Sequence, residues 1–469
     1  MKIDRSLRPT DLLHPAERVL ELGCQKALSL HRGWNPGRGA PVITVRGKYT
    51  TRGWTEWTQG FQSGSLLLCY DATGEPRLLR AALEVLGRSF LQVTHTGVHD
   101  HGFNNLSSYG NLLRLHGEGR LPSQSETGSE LWRTALKVSG AVQASRWAIT
   151  RDHPPESGYL YSFNGAHSLF IDSIRSMRSL CVSHALGHVL MGENDARINL
   201  LRRSIQHCLT TARYNVFYGD SGQPYDRRGR TTHEAIFNTE TGEFRCRSTQ
   251  QGYSPFSTWT RGLAWAILGF AEQLEFLDGL EPAAFHGSKR KTLSIYERAA
   301  RATCDHYVHD VSALDGIPYW DDGAPGLYQL GDWRNERADP HNRCEPVDAS
   351  AAAIAAQGLI RLGRYLSKKG KKGDNLYLLA GLSVAKALLS EPYLSLRRGH
   401  QGLLLHSVYH RPNGWDHIPK GQTVPCDESS MWGDYHLLEL SVLIRRLALG
   451  QRYLTFFGCV PTGRQTAHA

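Results

Sequence analysis

Carboxylates set in apolar surroundings are the residues of this chain most able to move protons. Asp172 lies in Leu169-Phe170-Ile171-Asp172-Ser173-Ile174, ahead of Met177 and Leu180, in the first turns of a predicted helix. A carboxyl buried there, beside a second one, has its pKa raised and becomes a proton donor near neutrality. An acid answering the dipole at a helix N-terminus fits the same local pattern. Asp100 stands between two histidines in His99-Asp100-His101-Gly102-Phe103. It reads as a helix cap, as a partner carboxylate, or with the histidines as a metal ligand. Side chains two residues apart point away from each other on a helix, which counts against the metal. His184 and His188 have the i, i+4 spacing of zincin ligands, but the intervening Glu is missing, so they are read as ordinary core or interface histidines.

The most specific stretch runs from Gln251 to Phe270 and contains Gln251-Gly252-Tyr253-Ser254-Pro255-Phe256 and Trp259-Thr260-Arg261-Gly262-Leu263-Ala264-Trp265. Arg261 and Trp265, four apart, share one helical face. A guanidinium beside an indole suits a sugar ring stacked on tryptophan with a donor for its hydroxyls or carboxylate. An aromatic core stripe with a snorkelling arginine is the plainer reading of that spacing.

These residues need a scaffold. Apolar residues at helical spacing predict helices over 15–32, 76–93, 125–148, 167–190, 196–214, 257–277, 292–309, 349–366, 374–391 and 428–447, with shorter ones near 60–70 and 102–116. The segment 229–246, turning at Asn238-Thr239-Glu240-Thr241-Gly242, is the one strand-like element and predicts a β-hairpin. About a dozen helices without a sequence period fit a closed ring of helical hairpins better than a solenoid. Polar, aromatic and glycine residues recur at helix starts, and alternate connections of such a ring converge on one pocket. The expectation is an all-α (α/α)6 toroid with a small hairpin insertion near 229–246, forming one catalytic domain over 1–460 and a frayed tail over 461–469.

Composition excludes several classes. With 40% hydrophobic and 21% charged residues in 469, the chain is neither disordered nor fibrous. It has no apolar run long enough to span a bilayer and no signal-peptide core, which reads as cytoplasmic. Nine scattered cysteines without a C-x-x-C pair predict reduced thiols. A formal charge of +10 favours anionic partners. Its densest runs, Ser288-Lys289-Arg290-Lys291 and Lys368 to Gly373, lack interleaved aromatics and read as solvated loops.

The Gln251 stretch resembles the signature Q-G-Y-S-D-D-S-x-W-x-R-G-Q-A-W of the unsaturated glucuronyl hydrolases, glycoside hydrolase family 88. Trp57-Thr58-Gln59-Gly60-Phe61, the His99 to Phe103 run, Phe170-Ile171-Asp172, Asp315 to Asp321, Asp348 to Ala355 and Trp432 to Glu439 resemble further family elements, in the same order. The resemblance covers about residues 50–445 and implies the (α/α)6 fold. It implies that Asp172 is the general acid/base and Asp100 a supporting carboxylate that keeps Asp172 protonated. It also implies that His233, Gln251, Arg261 and Trp265 contact the sugar. The reaction implied is hydration of the C4=C5 double bond of a terminal unsaturated uronate, with glycosaminoglycan-type disaccharides favoured. No metal or organic cofactor is needed. The expected partner is an anionic unsaturated oligosaccharide, with neither nucleic acid nor membrane, for a monomer or homodimer. Pro255-Phe256 in place of Asp-Asp, Leu263 in place of Gln, and Gln62 where a Trp is frequent depart from the pattern. The segments 151–166 and 327–345 read as additions on the leaving-sugar side. Two alternatives stand beside this reading: an unsaturated rhamnogalacturonyl hydrolase, and a carbohydrate-binding pseudoenzyme.

Overall fold

Two kinds of helix alternate along the chain. The first is amphipathic. In α1 (Leu13–Gly33) the buried residues Ala16, Val19, Leu20, Gly23 and Cys24 form one stripe at helical spacing. α3 (Pro76–Arg88), α6 (Glu126–Ala144), α9 (Leu200–Tyr214), α11 (Lys289–His306) and α13 (Asn375–Leu388) alternate with a second, more fully buried kind. That kind comprises α2 (Gln59–Thr73), α4 and α5 (His101–Asn105, Asn111–Gly117), α7 and α8 (Ser173–Ser176, Arg178–Ala185), α10 (Thr260–Asp278), α12 (Ala349–Lys368) and α14 (Met431–Ala448). A helix that is apolar all round belongs inside, so the second kind forms the inner layer and the first kind wraps it.

The computed structural model describes residues 1–52, 57–122, 126–151, 157–370 and 375–460. Within them α2 packs on α4, α4 on α7, α7 on α10, α10 on α12, α12 on α14, and α14 back on α2. The inner layer therefore closes into a six-membered ring. α1 lies against both α14 and α2, across the seam. This is the expected (α/α)6 toroid, and each connection from an outer to an inner helix reaches the same end of it.

Glycine lets the inner helices approach so closely. A Cβ on Gly60 of α2 would lie 1.9 Å from the Asn104 carbonyl oxygen of α4, and one on Gly102 of α4 would lie 2.4 Å from that of Ser176 in α7. Gly269 of α10 abuts Ile174 and Arg175, Gly358 of α12 abuts Ile267 and Leu268, Gly433 of α14 faces Ser350, and Gly64 of α2 faces Tyr435. Every contact in the inner ring thus has its glycine. Gly60→Ala is expected to cost about 3 kcal/mol, because the clash is with backbone and not with a movable side chain. Gly87→Ala in α3, with nothing near its Cβ, is expected to gain about 0.5–1 kcal/mol. Paired urea unfolding curves measure both.

The strands depart from expectation. The hairpin is present as Glu234–Phe237 paired with Phe244–Ser248, but a third strand, Ser168–Phe170, adds to it antiparallel with Phe170 opposite Glu234. The predicted helix over 167–190 is therefore wrong at both ends, since its start is this strand and α8 stops at Ala185. A short run such as Leu169-Phe170-Ile171 satisfies either periodicity, and the free edge of the hairpin decides it. Three further two-stranded pairs, Ile43–Val45 with Lys48–Thr50, Trp147–Ile149 with Gly158–Leu160, and Leu190–Met191 with Arg197–Ile198, lie in regions with no strand expected. The basic run at Lys289 is not a loop either. It opens α11, whose cap is the Ser288 hydroxyl accepting the Lys291 N–H. The tail 461–469, residues 371–373 of the second basic run and 152–156 of the segment 151–166 lie outside the described residues. No helix among the described residues is long and apolar enough to cross a membrane.

Candidate active site

The connections from outer to inner helices bring the chemistry-bearing residues to one cavity of about 180 Å³. Asp100 immediately precedes α4 and Asp172 immediately precedes α7; Arg261 and Trp265 occupy the first two turns of α10. These four and Gln251 line the cavity together with Trp57, His99, Phe163 and the Tyr409 to Trp415 connection.

His99 joins the two carboxylates. Its Nε2 lies 3.2 Å from Asp172 Oδ1 and 3.7 Å from Asp100 Oδ1. Its Nδ1 accepts the Phe163 N–H at 3.2 Å, so the ring proton belongs on Nε2 and is donated to Asp172. Against burial, the two carboxylates draw the His99 pKa upward, but a charged ring would need a proton on Nδ1, where a backbone N–H already points.

The two acids differ in where they hold a proton. Burial, reinforced by the charge of Asp172, pushes Asp100 up to about 6. Asp172 is equally buried, yet the hydrogen bond from His99 Nε2, with the adjoining His99 and His233 rings and the Arg261 guanidinium, holds it below its ordinary value. The expected order of the two acids is thus reversed: Asp100 has the higher proton affinity and Asp172 the lower. The physical reason is His99, which faces Asp172 more closely.

Arg261 is not the free arm the sequence implied. Its guanidinium lies between the rings of Trp259 and Trp432, 4.8 Å from each, and donates to the backbone oxygens of Val408 and Tyr409 and to Gln251 Oε1. It ties the 408–415 connection to Gln251, whose remaining polar group is its amide donor. Asp416 accepts the N–H groups of Tyr409 and His410 and holds the same connection from the other side. Asp321 accepts the Tyr253 N–H at 2.8 Å and fixes the Gln251 turn.

His233 is buried next to the cavity and does not line it. Its ring packs 4.2 Å from Phe170 and 5.0 Å from Trp259, and Nδ1 accepts the Gln250 N–H. Its Nε2 is buried without a hydrogen-bond partner. Trp265 is 2% exposed and contacts Phe103 at 4.8 Å. Sequence reasoning missed His99 as a site residue although it adjoins Asp100. It also missed Trp57, Phe163, Trp259 and the Tyr409 to Trp415 run. The clustering of Tyr409, His410, Asn413, Gly414 and Trp415 was the available signal for the last.

The metal readings find no support at the histidines that prompted them. His101 is occupied by Ser139 Oγ and the His95 carbonyl. His184 and His188 straddle the end of α8 and Gly187 at φ +79°, so they share no helix face. The family departures fall outside the cavity lining: Leu263 is core, and Phe256 is partly exposed against Tyr225 at 4.8 Å.

No family model matches the chain. Among characterised proteins it is 26% identical to the unsaturated glucuronyl hydrolase of Bacillus sp. (strain GL1) over 414 residues, 87% of this chain and 90% of that one. The chain is similar to the unsaturated glucuronyl hydrolases over most of its length. It is also 26% identical to the unsaturated chondroitin disaccharide hydrolase of Streptococcus agalactiae serotype III, over 82% of this chain and 80% of that one. Solved structures agree on the fold. An unsaturated glucuronyl hydrolase specific for heparin superposes with a TM-score of 0.68 at 19% identity, covering 92% of this chain and 97% of that one. The Bacillus sp. GL1 enzyme superposes with a TM-score of 0.66 at 22% identity, over the same shares of each chain.

Proposed function

We propose that the chain is a glycoside hydrolase that hydrates the C4=C5 double bond of a terminal unsaturated uronate and so releases the neighbouring sugar. The observation that carries this reading is the Asp100–His99–Asp172 array at the mouth of a helical toroid, walled by Trp57 and Trp265. The relatives named as unsaturated glucuronyl hydrolases and unsaturated chondroitin disaccharide hydrolases support it.

The bond is a vinyl ether, so the electron-rich carbon is C4. Asp172 delivers a proton to C4, and its carboxylate then takes one from the water that adds at C5, which restores the acid. The hemiketal formed at C5 opens to a ketone, and C1, now a hemiacetal, expels the neighbouring sugar. One water is consumed overall. Asp172 must first hold a proton, and an anionic uronate beside it, with water displaced, raises its proton affinity. Asp100 presents hydrogen-bonding capacity to ring hydroxyls. Trp265 offers an apolar face and Gln251 an amide donor, while His233 acts from behind the cavity wall by holding the Gln250 N–H. Arg261 acts by fixing Gln251.

The substrates this site favours are glycosaminoglycan-type disaccharides, in keeping with the net charge of +10. The test is decay of the unsaturated-uronate absorbance with a panel of lyase products. Turnover of chondroitin or hyaluronan disaccharides is expected. Turnover confined to unsaturated rhamnogalacturonan fragments would select the pectin-directed activity, and binding without turnover of any member would select a pseudoenzyme.

A further inference from the structure

Away from the cavity lining, three donors of different chemistry meet where two mouth connections touch. His341 belongs to the connection from α11 to α12, and Cys426 and Asp427 to the one from α13 to α14. One ligand atom from each lies within 4.8 Å of the others. His341 Nε2 is 3.3 Å from Asp427 Oδ1, and Cys426 Sγ is 3.9 Å from Asp427 Oδ2. Tetrahedral zinc, with bonds of about 2.0–2.3 Å, separates neighbouring ligand atoms by about 3.3–3.7 Å, so the spacing needs little adjustment.

The arrangement is built, not incidental. Asp427 is held in the left-handed region at φ +62°, where a non-glycine residue is strained. Its N–H is donated to His406 Nδ1, and its carbonyl contacts His400 Nε2 at 3.0 Å. Both backbone groups of the strained residue are therefore pinned, which turns its carboxylate toward Cys426 and His341. Arg343 and Thr423 knit the same two connections by hydrogen bonds to Gly421 and Arg343 carbonyls. Cys426 is buried, whereas His341 is exposed, which leaves an entry path and a fourth position for water.

We propose that His341, Cys426 and Asp427 bind a divalent cation of the zinc class, as a structural staple between the two connections. Nitrogen, thiolate and carboxylate together select such an ion over magnesium or calcium. The Cys426 thiol releases its proton to solvent as the bond to the metal forms. The Arg397 guanidinium, 3.5 Å from Asp427 Oδ1, is on a largely exposed side chain and moves aside. Glu428 faces the neighbouring His400 and His417 and adds negative charge nearby. The ion takes no part in hydration. It stiffens the connection that carries Tyr409 and Trp415.

Cobalt(II) is the probe, because a thiolate ligand gives it a charge-transfer band that oxygen and nitrogen ligands do not. The full-length protein, with exposed Cys246 changed to Ser, is expected to take up one cobalt with that band and to lose the band on adding zinc. Cys426→Ser on the same background is expected to abolish the band, and His341→Ala to weaken cobalt binding at least tenfold. Zinc is expected to raise the thermal midpoint of the parent and not of Cys426→Ser. Absence of the band in a folded parent, or its survival in Cys426→Ser, would overturn the proposal.

Discussion

Asp172→Asn is expected to lower turnover of an unsaturated disaccharide by about 10³–10⁴-fold, since one side chain both gives and recovers the proton. The amide keeps the shape of the carboxylate and still offers an oxygen to His99 Nε2–H, so the fold and the substrate affinity are expected to persist. Progress curves at saturating substrate, with circular dichroism as the control for folding, measure the effect. A variant that retains more than a tenth of wild-type turnover would remove Asp172 from the chemistry. In the wild type, kcat/KM is expected to fall as pH rises past about 6. That is where the pair loses the proton held on Asp100, and the apparent value belongs to the two acids together.

Asp100→Asn is expected to produce the opposite signs in two measurements: lower activity and higher stability at neutral pH. The folded protein raises the Asp100 pKa from 3.8 to about 6, so it binds that proton more tightly than the unfolded chain. Stability from this source is complete below about pH 4 and is lost as pH rises through 6. The shift of about two units corresponds to about 2–3 kcal/mol of destabilisation carried at pH 7. Asparagine has no charge to bury, so the stability of the variant should stay level across this interval and exceed the wild type above it. Urea midpoints from pH 4 to 7.5 decide the matter. Parallel curves for the two proteins would mean that Asp100 is not charged in a desolvated site.

Much of the scaffold was legible in the sequence because burial writes itself into periodicity. The stripe from Ala16 to Cys24 and the apolar run Ala351–Ala356 of α12 each make a helix readable from the sequence. The strand at Ser168–Phe170 was not legible, since its conformation depends on a partner 66 residues away. At the site, Asp100, Asp172, Gln251, Arg261 and Trp265 meet as their motifs implied. The roles of two of them do not follow from residue type. The terminal nitrogens of Arg261 go to backbone carbonyls that no local pattern reveals, while its Nε has no partner, and the relative proton affinity of the acids turns on which one His99 faces. His99 itself was hidden by proximity, because the histidine next to an acid in sequence proves to serve the acid 73 residues away.

The glycine at each junction of the inner ring carries an evolutionary consequence. Four of the six junctions, at Gly60, Gly102, Gly269 and Gly358, abut main chain, and a larger residue there pushes against peptide groups that cannot yield; at the other two, Gly433 and Gly64 face the Ser350 and Tyr435 side chains. Point mutations therefore have little scope to widen the bore of the toroid for a bulkier sugar. Divergence toward new saccharides is channelled into the rim, where whole segments can be exchanged between relatives while the bore stays constant.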